Sequence, residues 1–292
     1  MRKHPLLFGF VLLIGVGIVC MLVMHTFGLL NGVGIPLTAK EYVGVVDVEG
    51  IISDSRKIIK LCDDYEKDDD IRAVVLRINS PGGAVVPAQE IFDRIRDLAV
   101  TKPVVASMGT VAASGGYYIA SAADLIVANP GTITGSIGVI VQFSHIHDLL
   151  EKIGLKTTVV KSGEYKDIGS PLREMEPRER IIFQDLVDDI YDQFVTAVSQ
   201  SRSLPKDEVL KLADGRIFTG RQAQDVGLVD EIGSFDHAAA RAAEIAGIVG
   251  VPQVFYPKKE KRGLLRYLIG EIRNEIEYEM GRTQTGISYR MK

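Results

Sequence analysis

From Glu41 onward, short runs of β-branched and aliphatic residues alternate with segments of helical length, and no other feature of the chain constrains its fold as tightly. Val43 to Val48, Ile71 to Ile78, Val104 to Ser107, Leu125 to Ala128, Ile137 to Val141 and Leu155 to Val160 are each predicted as strands. Ile51 to Tyr65 and Pro87 to Leu98 have helical spacing between them. Strands joined through helices favour crossovers over hairpins, so the pattern predicts an α/β fold with a largely parallel sheet. Glu176 to Ser203 is predicted as one long amphipathic helix, whose stripe of Ile181, Ile182, Leu186, Ile190, Phe194 and Val198 packs on the core. A second stripe, Leu264 to Ile276, follows the basic cluster Lys258 to Arg262 and suits a membrane surface, another subunit or plain solvent.

Within this frame the segment Ala112-Ala113-Ser114-Gly115-Gly116-Tyr117-Tyr118 carries the clearest chemistry. Its serine falls where an apolar run turns into a predicted helix, Tyr117 to Ala123. A hydroxyl in that position lies open at the positive end of a helix dipole, and small neighbours let a substrate backbone come close. Such a geometry suits the nucleophile of an acyl transfer. A serine that only caps a helix has the same local sequence. The spacing approaches the G-x-S-x-G elbow, with Ala112 in place of the first glycine.

Leu6 to Met24 contains no charged residue and approaches the ~20 residues that a helix needs to cross a bilayer. It is longer than the ~7–15 apolar residues of a secretory signal, and no A-x-A-like cleavage site follows. The expectation is a retained single-pass anchor. Arg2 and Lys3 precede it, which keeps the N-terminus cytoplasmic and places the rest of the chain across the membrane. Asn31 to Lys40, with Gly32, Gly34 and Pro36, reads as a linker. Cys20 sits in the span and Cys62 stands alone beyond it, so no disulfide between them is expected. A net charge of -4, with both signs mixed along the 292 residues, gives no reason to expect a nucleic-acid partner.

A serine hydroxyl needs a base. Of the five histidines, His4 and His25 lie at or before the membrane, while His145, His147 and His237 carry no motif. Lysine is the other candidate, provided burial brings its usual pKa of ~10.4 down to ~7–8, a cost of ~4 kcal/mol. Local sequence does not choose among Lys152, Lys156, Lys161 and Lys166, although Lys166 stands in a turn-rich segment, Ser162 to Pro171, before the long helix. Glu164 and Asp167 would favour its charged form if they faced it.

Several motifs occur in register: Arg77-Ile78-Asn79-Ser80-Pro81-Gly82-Gly83, Ala113 to Tyr118, Thr134-Gly135-Ser136-Ile137-Gly138 and Tyr165-Lys166 to Pro171. Gly215-Arg216-Ile217-Phe218-Thr219-Gly220 and Gly227-Leu228-Val229-Asp230 follow. Together they resemble the signal peptide peptidase A family, membrane-anchored bacterial serine proteases of the ClpP/crotonase-like fold with its repeated ββα units. The resemblance runs from Val43 to Val249. It implies a Ser-Lys dyad, with Ser114 as nucleophile, Lys166 as general base and Ser136 orienting the lysine. Gly82 or Gly83, with Gly115, would supply the oxyanion hole. It implies no cofactor and no metal. Remnants of cleaved signal peptides and other apolar peptides would be the substrates. The expected assembly is a ring-like homo-oligomer on the outer side of the bacterial cytoplasmic membrane, with room for a dyad completed across a subunit boundary.

Other chemistries find little support. There is no H-E-x-x-H, no P-loop and no aspartate in the span, and the pairs Asp63-Asp64 and Asp188-Asp189 suit surface helices. The two competing readings are a crotonase-type acyl-CoA enzyme, disfavoured by the outward topology, and a catalytically silent membrane scaffold. The expected layout is an anchor over residues 1–30, a linker over 31–40, a Ser-Lys protease domain over 41–257 and a basic, amphipathic tail over 258–292.

Overall fold

The computed structural model describes residues 12–23, 41–257 and 287–290. The chain divides into two compact units, residues 1–40 and 41–292. In the first, residues 12–23 form helix α1. Among the described residues no helix is long and apolar enough to cross a membrane. α1 covers only part of the predicted span; its remainder, the linker and the second amphipathic stripe lie outside the described residues.

In the second unit the order is β1 (Tyr42–Glu49), α2 (Arg56–Lys67), β2 (Ile71–Ser80), β3 (Gly82–Ala84), α3 (Val85–Thr101), β4 (Val104–Ala113) and α4 (Gly115–Ala120). Then come β5 (Leu125–Ala128), β6 (Ile133–Gly135), β7 (Ile140–Val141), α5 (His147–Lys152), α6 (Pro177–Arg202) and α7 (Lys206–Leu212). β8 (Ile217–Thr219), α8 (Gly220–Asp225), β9 (Glu231–Ile232), α9 (Phe235–Ile245), β10 (Gln253–Phe255) and β11 (Ile287–Arg290) complete it. The main sheet is eight-stranded, running β10-β1-β2-β4-β5-β9, with β6 paired to β4 and β8 to β6. All its pairings are parallel except that of β6 with β8. The predicted α/β class with a largely parallel sheet is what forms.

Residues along β2 alternate between two cores. Val74, Leu76 and Ile78 pack with Ile91, Ile95 and Tyr117 on one face. Ala73 and Val75 meet Ala238, Ala239 and Ala242 of α9 on the other. Cover on both faces explains why the strands are unbroken apolar runs rather than alternating ones.

Several predicted elements differ: the strand expected over Ile137 to Val141 keeps only Ile140–Val141 as β7, and the helix expected over Tyr117 to Ala123 runs over Gly115–Ala120. The helix expected from Ile51 starts at Arg56, because Ile52 is drawn into a parallel bridge with Gly83. Leu155 to Val160 is no strand: among the described residues it finds no neighbour to pair with, and its residues are exposed. The stripe of α6 is core only in its second half. Phe194 and Val198 are fully buried, whereas Ile181, Ile182 and Leu186 are 61%, 40% and 41% exposed.

A second, three-stranded sheet has the order β3-β11-β7 and is antiparallel throughout. It sets a segment from the far C-terminus between the glycines after β2 and the short strand β7.

Candidate active site

The site is built where β2, β4 and β6 end together. Ser80 pairs with Ala112, and Ala113 with Gly135, so the three strand ends bring Gly82, Ser114 and Ser136 to one edge. Ser114 closes β4 and precedes α4 with φ 54° and ψ -117°, a conformation that L-residues adopt only under constraint. Two backbone bonds hold it there: its N–H donates to Gly135 O (2.8 Å), and Tyr118 N–H donates to its carbonyl (2.8 Å). The residue is 1% exposed. Among the described residues its Oγ is the one buried side-chain polar atom with no hydrogen-bond partner. Buried hydroxyls are nearly always satisfied, so a strained serine with an idle hydroxyl points to a reactive role. A capping serine would use its oxygen on the helix, and this one makes no such bond.

Ser136 lies beside it, also at positive φ (49°), with its N–H donating to Arg216 O (2.8 Å). Its own hydroxyl forms no hydrogen bond among the described residues.

The predicted oxyanion glycines separate in the structure. Ser80 Oγ donates to Gly50 O (2.6 Å) and accepts from Gly82 N–H (3.1 Å), so the Gly82 amide is already engaged. Ile52 N–H donates to Gly82 O (3.0 Å), and Ala84 N–H donates to Ile52 O (2.7 Å). By strand alternation the Gly83 N–H and C=O then face the opposite side, where β11 lies with Tyr289 opposite Gly83. Gly115 is the first residue of α4, so its N–H has no partner within the helix. Close packing requires one glycine of each pair to lack a side chain. A Cβ on Gly116 would sit 2.8 Å from Ser80 O, and one on Gly83 would overlap the Ile52 backbone.

Within the chain Lys166 makes no hydrogen bond to the Ser114 hydroxyl. It lies on consecutive turns closed by Lys166 N–H to Gly163 O (3.2 Å), Ile168 N–H to Tyr165 O (3.1 Å) and Ser170 N–H to Asp167 O (3.1 Å). Its side chain is exposed and has no partner among the described residues. Four of the other candidate bases are engaged elsewhere: His145 Nδ1 at Arg173 O, His147 Nδ1 at Leu172 O, His237 Nε2 at Glu231 and Lys161 Nζ at Asp167, whereas Lys152 and Lys156 are exposed with no such partner among the described residues. Among the described residues no acidic or histidine cluster could hold a metal ion. Two features escaped the sequence. One is β11, four residues with too little pattern to be noticed. The other is the ion-pair network Lys161–Asp167–Arg173–Glu179, whose only trace is alternating charge from Lys161 to Glu179.

The Peptidase family S49 model matches residues 96–249, and the Clp protease model matches residues 53–130. A chain described as a protease in Methanocaldococcus jannaschii is 40% identical over 233 residues, covering 78% of this chain and 75% of its own length. Protease 4 of Haemophilus influenzae is 36% identical over 219 residues, 70% of this chain and 34% of that one. A chain described as the signal peptide peptidase SppA of Enterococcus faecium is 40% identical over 176 residues, 59% of this chain and 51% of that one. The matched stretch contains the strained serine, its small neighbours and the turns that carry Lys166, and on that ground the chain is a serine peptidase and a member of peptidase family S49.

Proposed function

We propose that the chain is a membrane-anchored Ser-Lys endopeptidase with a ClpP/crotonase-like domain, acting on remnants of cleaved signal peptides and other apolar peptides. The observation that carries this reading is the Ser114 hydroxyl, buried, unpartnered and held on a strained turn. Ser114 Oγ attacks the peptide carbonyl while Lys166 accepts its proton and returns it to the departing amine. Water then enters by the same route in reverse and frees the acyl group. Ser136 orients the lysine. The amides of Gly83 and Gly115 receive the developing oxyanion, Gly83 being favoured over Gly82 because Ser80 already occupies the latter.

Ser114 Oγ is buried and without a partner while Lys166 is exposed in one chain, and on this reading a second copy supplies the lysine. The exposed Ile146, Leu149, Ile153, Ile181, Ile182 and Leu186 give the segments around it the apolar face that such packing needs. Burial between copies also supplies the desolvation that a neutral lysine requires. Repeated around an axis, this head-to-tail contact closes a ring. Substrate adds as an antiparallel strand between β3 and β7, the slot that β11 takes here. The anchor, Leu6 to Met24, would hold the domain on the outer face of the bacterial cytoplasmic membrane, beside the peptides that signal processing leaves behind.

The test is hydrolysis of an apolar fluorogenic peptide by the full chain in detergent micelles, followed from pH 5 to 10. A base must lose its proton before it acts, so kcat/KM is expected to rise with pH and to fall about tenfold per unit below the controlling pKa. A profile flat across that range contradicts a lysine base. Gly83→Ala is expected to lower kcat/KM about 10²-fold, because the added methyl pushes β3 off the Ile52 backbone and misplaces the donor. Unchanged kcat/KM in that variant would remove Gly83 from the oxyanion hole.

A further inference from the structure

The turns that carry Lys166 are short of packing: residues 161–166 are exposed, and no regular element begins until α6. They are held by charge instead. Arg173 donates from Nε to Asp167 Oδ2 (2.9 Å), and from Nη2 to Asp167 Oδ1 (2.9 Å) and Asp167 O (3.3 Å). The same guanidinium donates from Nη1 to Glu179 Oε2 (2.8 Å) and Glu174 O (3.0 Å), and from Nη2 to Glu179 Oε1. Glu179 is 2% exposed and also accepts Glu176 N–H (2.9 Å) in the capping box that starts α6. Lys161 Nζ completes the set, donating to Asp167 Oδ1 (2.6 Å) and Glu164 O (2.7 Å). One planar fork therefore clips the lysine-bearing turns to the first turn of a 26-residue helix.

The network also sets the charge around those turns. Asp167 follows Lys166 directly and would favour an ammonium there if it were free. Both of its oxygens are taken by cations, and this hydrogen bonding holds its carboxyl well below the usual carboxylate range. Glu164 pairs with Arg178 (3.8 Å), and Glu179 is covered by Arg173. From the α5 side the titratable groups are His145 and His147, whose Nδ1 atoms face the carbonyls of Arg173 and Leu172, with Glu151 beyond His147. Asp167, Glu179, Glu164 and Glu151 thus each have a cation or histidine of their own, while Asp148, Glu174 and Glu176 make no such ion pair among the described residues.

From this arrangement we propose that Arg173 is a positioning residue for Lys166: it fixes the 163–170 turns on α6 and occupies Asp167, so that this carboxylate is not free to pair with the adjacent lysine. The proposal rests on Lys166 being the base. Arg173 touches neither substrate nor Ser114, and it acts through the lysine alone.

The readout is the acid limb of the kcat/KM profile of the full chain in detergent micelles on an apolar fluorogenic peptide. Arg173→Gln frees Asp167 beside the lysine and is expected to move that limb up by about one pH unit, a tenfold loss at a fixed pH on the limb. Adding Asp167→Asn to Arg173→Gln is expected to bring the limb back. Lys161→Gln removes only the outer, accessible cation and is expected to shift it in the same direction by less; it also serves if Arg173→Gln fails to fold. Limbs that stay in place in both single variants, with activity lowered equally at every pH, show a merely structural network and overturn the proposal. Lys166→Ala, run in parallel, keeps the two readings apart. Full activity in Lys166→Ala overturns the base assignment, whereas an inactive Lys166→Ala beside unmoved limbs overturns the role of Arg173 alone.

Discussion

Ser114→Gly is expected to abolish peptide hydrolysis and yet leave the protein more stable. Without the hydroxyl no acyl-enzyme forms, and losses on the order of 10⁴ or more in kcat accompany removal of a serine nucleophile. The stability change has the opposite sign for two reasons. At φ 54° a side chain costs about 1–2 kcal/mol that glycine does not incur. The buried Oγ also has no partner, so its removal breaks no hydrogen bond and relieves a desolvated group. Against this stands the extra backbone entropy of glycine in the unfolded chain, about 0.5–1 kcal/mol. The expected net gain is about 1–2 kcal/mol, or a few degrees in the thermal midpoint for a domain of this size. Ser114→Ala is expected to be equally inactive while keeping the strain, so its midpoint lies below that of the glycine variant. A Ser114→Gly protein that is active, or one markedly less stable than the parent, would refute the assignment of stored strain to a nucleophile.

Lys166→Ala is expected to lose about 10²–10⁴ of kcat, the usual contribution of a positioned general base. Its side chain is exposed and has no partner among the described residues, so the fold itself is expected to tolerate the change. The larger effect appears on mixing. Inactive Ser114→Ala and inactive Lys166→Ala, dissociated and reassembled together in equal amounts, are expected to recover about a quarter of wild-type activity. In a ring where one copy gives the serine and its neighbour the lysine, half of the sites hold an intact serine and half of those meet an intact lysine. A dyad within one chain gives no recovery at any ratio. Activity of the mixture as a function of ratio, peaking near equal amounts, is the measurement.

Much of the fold was legible because the strongest signals were local. Leu125 to Ala128 forms β5 with the predicted bounds, and the helix expected from Glu176 to Ser203 runs from Pro177 to Arg202. These are a buried four-residue strand and an amphipathic helix with proline at its start, both dictated by nearby residues. Leu155 to Val160 shows the limit. Its composition is that of a strand, but a strand exists only through a neighbour, and among the described residues there is none. Ile181, Ile182 and Leu186 show another limit, since periodicity reveals an apolar face without revealing whether the same chain or a second copy covers it.

The site divides in the same way. Ser114 was visible from its small neighbours and its position after an apolar run, but its positive φ and its idle hydroxyl were not. Both depend on Gly135, more than twenty residues away, holding the turn through one carbonyl. The choice of Lys166 among four lysines came from the family resemblance alone, because nothing in the local sequence distinguishes it. The choice between Gly82 and Gly83 needed the Ile52 backbone and the Ser80 hydroxyl. Arg173 left only the alternating charge around it as a sign, since its worth lies in joining two carboxylates from different elements.

The most direct test of the account is to catch the acyl group on its serine. The full chain in detergent micelles is mixed with an apolar peptide ester, quenched in acid within the first turnovers, digested and weighed by mass spectrometry. The account predicts the acyl mass on the peptide that contains Ser114, strongly reduced in Lys166→Ala and absent in Ser114→Ala. Turnover with no acyl adduct in the wild type, or an adduct that persists undiminished in Lys166→Ala, would contradict the Ser-Lys dyad.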